Sequence, residues 1–225
     1  MIHRKYSDFK DKKNNLQLFF NCAEENTKIK IFRIATELFS INGYEGVSIR
    51  EISRNVGIKE SSIYNHFKSK EDILNKIIDY FEIEIKKSEL STEEKKEVAF
   101  LNPPLSLLKK SMQKFIEFAD NPLMSKIYRI LIIEQFKNKR AKDLLLYCFL
   151  NGPEKSLESY FNLLMNQGLI ITDDPRMLAT EYANTIFSLV YKLSLLDSYN
   201  KNTYEIEDCI WDYINYFSKK VSVIK

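Results

Sequence analysis

The chain has 225 residues, 44% of them apolar and 13% aromatic, so it can bury a sizeable core and is no disordered polymer. Its formal net charge of +3 argues for no partner by itself. Three scattered cysteines without zinc spacing, and no uncharged apolar run near the roughly 18–20 residues of a membrane span, argue against a disulfide scaffold, a zinc module and a spanning helix.

Glycine and proline contribute 5 residues each, and neither occurs between Ile58 and Asn102, so long uninterrupted helices are expected. Residues 1–26 are polar and mixed in charge, with an apolar patch at Leu16, Leu18, Phe19 and Phe20; they read as an N-terminal extension. From Thr27 to Asn42, Ile31, Ile34, Ala35, Leu38 and Phe39 recur at helical spacing, and Asn42-Gly43 closes that helix. A shorter helix follows: Ser48 and Glu51 form an S-x-x-E start, Ile49, Ile52 and Val56 mark its buried face, and Gly57 redirects the chain. The spacing of Ile63 and Phe67 predicts another helix over Glu60–Phe67, leaving Lys59, Ser61, Ser62, Tyr64, Asn65 and His66 mostly outward. Two short helices braced across a glycine turn, the second with a polar, aromatic and basic free face, make a helix-turn-helix. Such a helix fits the major groove of DNA, where short polar side chains reach base edges and flanking basic groups hold phosphates.

The chain from Thr27 to Leu74 resembles the DNA-binding domain of the TetR family of bacterial transcription regulators. The residues that carry the resemblance are Ile31, Ala35, Leu38, Phe39, Gly43, Tyr44, Ser48, Ile49, Arg50, Ile52 and Gly57, then Ser62, Ile63, Tyr64, His66, Phe67, Ser69, Lys70, Glu71, Asp72 and Leu74. Two positions depart from the pattern: Ser61 stands where the family often has glycine, and Glu60 places an acid near the start of the reading helix. Residues 27–70 hold eight Lys/Arg against four Glu, whereas the remaining 26 basic and 27 acidic residues nearly cancel, so the basic excess sits on the proposed reading segment. Ser61, Ser62, Tyr64 and Asn65 are candidates for groove contacts, and Ser48, Arg50, Lys59, His66 and Lys70 for positioning the phosphate backbone. For residues 1–26 a helix packed on the first helix and a basic arm reaching DNA (Arg4, Lys5, Lys10, Lys12, Lys13) both fit.

Ser69 caps a helix running to about Lys87, the connector in the resembling family. The charged stretch Ser88–Val98 reads as a boundary, which divides the chain into a reading domain at 27–74, a connector to about 87, and a helical body at 88–225. In that body Pro104, Pro122 and Pro175 stand at helix starts. Further helices are expected at about 139–150, at 154–167 after a break at Gly152-Pro153, at 175–199 behind an Asp173-Asp174 cap, and at 204–221. Alternating strand patterns are missing, and the fold class is all-α.

The resemblance implies an effector pocket and a dimer in this body. Met112, Phe115, Tyr128, Leu131, Glu134, Tyr147 and Phe161 are the pocket candidates; Glu134, in an apolar neighbourhood, is a possible counter-charge for a cationic effector. Leu157, Phe161, Leu164, Leu178, Tyr182, Ile186, Leu189 and Leu193 form an apolar set wide enough to suggest a homodimer interface, and a symmetric dimer would read a palindromic operator. His3 and His66 are the only histidines, and neither a nucleophile elbow nor a phosphate-cradling glycine loop occurs, so no catalytic residue, cofactor or metal is expected. The reading is a cytoplasmic, homodimeric, ligand-responsive regulator of transcription, a repressor more than an activator, acting on double-stranded DNA and not on membranes. A helical interaction scaffold that does not bind DNA is the alternative.

Overall fold

A computed structural model describes residues 26–99, 104–199 and 201–223. The expected N-terminal extension, residues 1–26, lies outside them except for Asn26. The described helices are α1 (Thr27–Asn42), α2 (Ile49–Val56), α3 (Glu60–Ile63), α4 (Lys70–Ser88), α5 (Thr92–Ala99), α6 (Leu105–Ala119), α7 (Pro122–Glu134), α8 (Lys139–Leu146), α9 (Gly152–Asn166), α10 (Pro175–Ser198) and α11 (Tyr204–Val221). Among the described residues the one piece of β pairing is an isolated bridge between Ile170 and Ser222. The fold is all-α. No helix among these residues is long and apolar enough to cross a membrane.

The described residues form two compact units, one taking in those up to Lys87 together with Glu117–Leu145, the other those within Ser88–Ile116 together with those from Leu146 onward. The division after Lys87 falls beside the boundary expected at Ser88, but α7 and α8, assigned by sequence to the helical body, belong to the unit that carries the helix-turn-helix. Three polar ties fasten them there. Lys126 of α7 pairs with Glu37 of α1, and the Arg140 guanidinium of α8 pairs with the buried Asp79 of α4 and donates to Asn75 Oδ1 at 3.0 Å. The third is the Glu134 carboxylate, which accepts the Tyr44 N–H at 3.0 Å.

The second unit is built on an apolar cluster that includes Leu107, Leu108 and Met112 of α6, Tyr160, Phe161 and Leu164 of α9, Leu178 and Tyr182 of α10, and Ile214 and Phe217 of α11. The charged stretch expected as a bare boundary holds a helix instead, α5. Its start is a reciprocal cap: Glu94 N–H donates to Ser91 Oγ at 3.1 Å, and Ser91 N–H donates to the Glu94 carboxylate at 2.8 Å. Lys114 of α6 holds the same carboxylate at 3.0 Å. The cap and the lysine together keep the Glu94 carboxyl below the usual glutamate range.

The break expected at Gly152-Pro153 is a π-helical turn, Tyr147–Asn151, leading directly into α9. Proline is tolerated here because it enters in the first turn of α9, where its missing N–H removes no hydrogen bond within that helix. A side chain at Gly152 would bring its Cβ within 2.9 Å of the Tyr147 carbonyl oxygen and 3.2 Å of the Tyr147 ring, so the turn depends on glycine. The aspartate pair acts as expected: Asp174 Oδ1 accepts the Arg176 and Met177 N–H groups at the head of α10.

Candidate nucleic-acid interface

The helix-turn-helix is set by an N-cap at Ser48 and a left-handed C-cap at Gly57. Glu51 N–H donates to Ser48 Oγ at 3.1 Å, which fixes the start of α2. Gly57 adopts φ +82°, and its N–H donates to Ser53 O at 3.0 Å while Ile58 N–H donates to the same oxygen, closing α2 and turning the chain toward α3. The reading helix is shorter than Glu60–Phe67: α3 itself ends at Ile63, and Tyr64–His66 continue as turns in which His66 and Phe67 donate to Ile63 O at 2.9 and 3.0 Å. Ile63 and Phe67 are fully buried, with Ile52 and Val56 of α2 also in the core. Burying both ends of so short a segment sets its orientation without needing helix length.

Outward from that core, Arg50, Lys59, Glu60, Ser61, Asn65 and Tyr64 are exposed, Tyr64 at 53%, and Ser62 and His66 are half-buried. A tyrosine left this open beside hydroxyl, amide and basic groups makes a surface able to donate and accept hydrogen bonds along a groove and to meet phosphates at its edges. Ser48 spends an acceptor lone pair on its cap and keeps its hydroxyl proton for a partner. Sequence reading did not single out Arg54, exposed in the last turn of α2; Lys28, which with Lys30 the sequence places near the start of α1 within plausible reach of phosphate, has its ammonium 5.7 Å from the Phe67 ring centroid beside the end of the reading segment.

Lys70, expected among the phosphate-positioning groups, is engaged inside the protein. Its ammonium donates to Tyr44 O at 2.9 Å and to Val47 O at 2.8 Å, and stands 4.2 Å from the Tyr44 ring centroid. The carbonyls of the turn after α1 thereby take up the charge that was assigned to DNA. Tyr44 is thus gripped twice through its backbone, by Glu134 at the N–H and by Lys70 at the carbonyl, while its ring meets Phe39 edge-on at 5.5 Å. Burial, aided by Glu71, Glu45 and Glu134, raises the Tyr44 phenol above its usual range. At the head of α4, Asp72 N–H donates to Ser69 Oγ and Lys68 N–H donates to the Asp72 carboxylate, at 3.1 and 2.9 Å.

Residues 31–77 match the family model for bacterial regulatory proteins of the tetR family. Over this segment the chain is similar to the tetR family of bacterial regulatory proteins. The IcaR regulator of Staphylococcus epidermidis, described as a negative transcriptional regulator of a biofilm operon, is 42% identical over 52 residues, which cover 23% of this chain and 28% of that protein. The chain therefore spans under a third of that curated relative's length. Likeness to solved structures extends further at lower identity. A Mesorhizobium loti protein assigned to the TetR family superposes with a TM-score of 0.60 at 20% identity, over 88% of this chain and 97% of that one. AibR, solved in complex with isovaleryl coenzyme A and operator DNA, gives 0.52 at 22% identity over 74% of this chain and 86% of its own. These two likenesses extend the TetR fold beyond the matched N-terminal segment.

Within this TetR-type fold the pocket candidates separate. Tyr128, Leu131 and Glu134 lie on α7, in the unit with the reading helices, whereas Met112, Phe115, Tyr147 and Phe161 lie in the other unit. Glu134 is 5% exposed and already holds the Tyr44 N–H, so its carboxylate serves the turn after α1 and not a cationic effector. Tyr147 donates its hydroxyl to Glu89. Met112 and Phe161 are core.

The interface candidates are likewise drawn inward. Phe161, Leu164, Leu178, Tyr182 and Leu189 are buried within the single chain, and Leu157, Ile186 and Leu193 pack partly buried against the same cluster. The width of the stripe is used up by the chain's own core. The apolar groups that α9 and α10 do leave exposed are others: Leu163, Met177, Phe187, Tyr191 and Leu195. Phe187 joins Phe149 and Tyr191 in one aromatic row, with ring centroids 4.9 and 6.2 Å apart.

Proposed function

We propose that this protein is a ligand-responsive transcriptional repressor that binds a palindromic DNA operator as a homodimer. The observation that carries the reading is the short α3 segment, anchored by buried Ile63 and Phe67 and open along Lys59, Ser61, Tyr64 and Asn65. Ser61, Ser62, Tyr64 and Asn65 would meet the groove, and Ser48, Arg50, Lys59 and His66 the phosphates, with Arg54 and Lys28 added to that outer set.

The second copy would dock on the exposed aromatic row of α10 and on Leu163 of α9, surfaces that the chain's own core leaves open. Two reading heads held by one two-fold axis require two half-sites in inverted order. An effector in the unit built on α6, α9, α10 and α11 would act by binding one conformer of the dimer more tightly than another. A regulator carries out no covalent chemistry, and the role assigned to each polar group above is binding.

Selection of bound sequences from a random duplex pool tests the reading. A recovered palindrome, with binding that weakens steeply as salt rises, supports it through counterion release. Recovery of no common sequence, together with binding insensitive to salt, refutes it.

A further inference from the structure

We infer that Tyr160 is the polar anchor of an effector site that takes a neutral, largely apolar molecule through one hydrogen-bond acceptor. The inference deepens the effector reading above and rests on it.

Tyr160 is 4% exposed, and its hydroxyl is the buried side-chain polar atom that finds no hydrogen-bond partner among the described residues. Buried hydroxyls are ordinarily satisfied, because removing one from water without a partner is costly where a phenyl ring would fill the same space freely. The buried residues grouped with it are apolar or aromatic, among them Leu90, Leu108, Met112, Phe161 and Leu164. Burial by itself pushes the phenol up to about 12, so it stays a neutral donor over the physiological range.

The chemistry of the guest follows from this setting. A charged group brought beside Tyr160 would meet no counter-charge in the buried cluster and would lose its hydration. A carbonyl, ester or ether accepts the one free proton and brings no donor of its own that the apolar walls would strand. Glu134, the carboxylate expected to hold a cation, lies in the other unit and is committed to Tyr44. The π-helical turn Tyr147–Asn151 immediately precedes the helix that carries Tyr160. Such turns occur frequently at functional sites.

The test compares wild type with Tyr160→Phe against four probes of one chain length: decan-2-one, decane, decylamine and decanoate. Trp211, the single tryptophan, packs against the same cluster and reports occupancy by its fluorescence. Wild type is expected to bind the ketone more tightly than the alkane, amine or acid, and Tyr160→Phe to lose the preference for ketone over alkane, a change of about three- to tenfold for one neutral hydrogen bond. Without probe, the variant is expected to melt at the wild-type temperature or higher, since nothing that pairs with the hydroxyl is removed.

A clearly less stable Tyr160→Phe would overturn the proposal, because the hydroxyl would then have a partner within the protein. Preference for the amine or the acid, a ketone preference that survives in the variant, or no response to any probe would each overturn it as well. In that last case salt-dependent duplex binding by wild type would still stand, so loss of this site is distinguishable from loss of the regulator reading.

Discussion

Replacing Lys70 by Met keeps the aliphatic stem and removes the ammonium from two carbonyls and an aromatic ring. Hydrogen bonds to a charged donor contribute about 1.5–3 kcal/mol each, and a cation over a partly exposed ring adds roughly 0.5–1 kcal/mol. The full sum overstates the loss, because Lys70 is half-exposed and water can reach the freed Tyr44 and Val47 carbonyls. We expect a net destabilisation of about 2–3 kcal/mol, or roughly 5–10 °C in melting temperature for a chain of this size. The assay is urea and thermal unfolding followed by helical circular dichroism, paired with duplex binding across a salt series. The salt slope should stay at its wild-type value in Lys70→Met, whereas Arg50→Ala should lower it by about 0.9, one phosphate contact. A Lys70→Met protein of wild-type stability whose slope falls by about one would refute the reasoning and return the ammonium to DNA.

Glu134→Leu should destabilise the unit carrying the reading helices by about 1–3 kcal/mol by stranding the Tyr44 N–H, and Glu134→Gln should recover most of that loss, as denaturant unfolding would measure. Tyr191→Glu, on an exposed ring, should give folded monomers by sedimentation, whereas Leu189→Glu, at a buried position, should impair folding of the chain itself. Gly57→Ala should cost about 1 kcal/mol or slightly more from its φ of +82° alone, since no atom lies within 4 Å of the added carbon. Tyr80 and Tyr160 titrate in the folded chain at about 12, above the ordinary value of 10.0, so the folded state holds their protons more tightly than the unfolded one. Stability should therefore be full below pH 10 and fall as pH rises toward 12, visible as phenolate absorbance appearing with unfolding.

The reading segment was legible because its signals are local. Ser48, Gly57 and Ser69 act on neighbours three or four residues away, and the spacing of Ile52, Val56, Ile63 and Phe67 marks one buried face. Lys70 was misassigned because its partners are 23 and 26 residues away in sequence, and a lysine in a basic segment looks the same whether it faces phosphate or a carbonyl. Glu134 reaches back 90 residues to Tyr44, a separation across which periodicity says nothing. The stripe on α10 was visible as a stripe, but its destination was not: one chain's core and a twin's surface both want leucine. The reciprocal cap at Ser91 and Glu94 could have been found by the same four-residue pattern that marked Ser48 and Glu51. The density of charge around it hid the helix start.

The double grip on Tyr44 bears on how this protein can be cut and rejoined. The reading head is not a single run of sequence: α7 and α8 come back from beyond residue 117 to complete it. A chimera joined just after Lys87, with a foreign sensor behind it, would discard the carboxylate on the Tyr44 amide and the guanidinium on Asp79, and the buried acid would lose the nearer of its two cationic partners, Lys76 remaining at 3.5 Å. Transplanting specificity in this chain therefore means moving two separated segments as one piece of machinery, or exchanging only the outward residues of α3 and leaving the frame beneath them untouched.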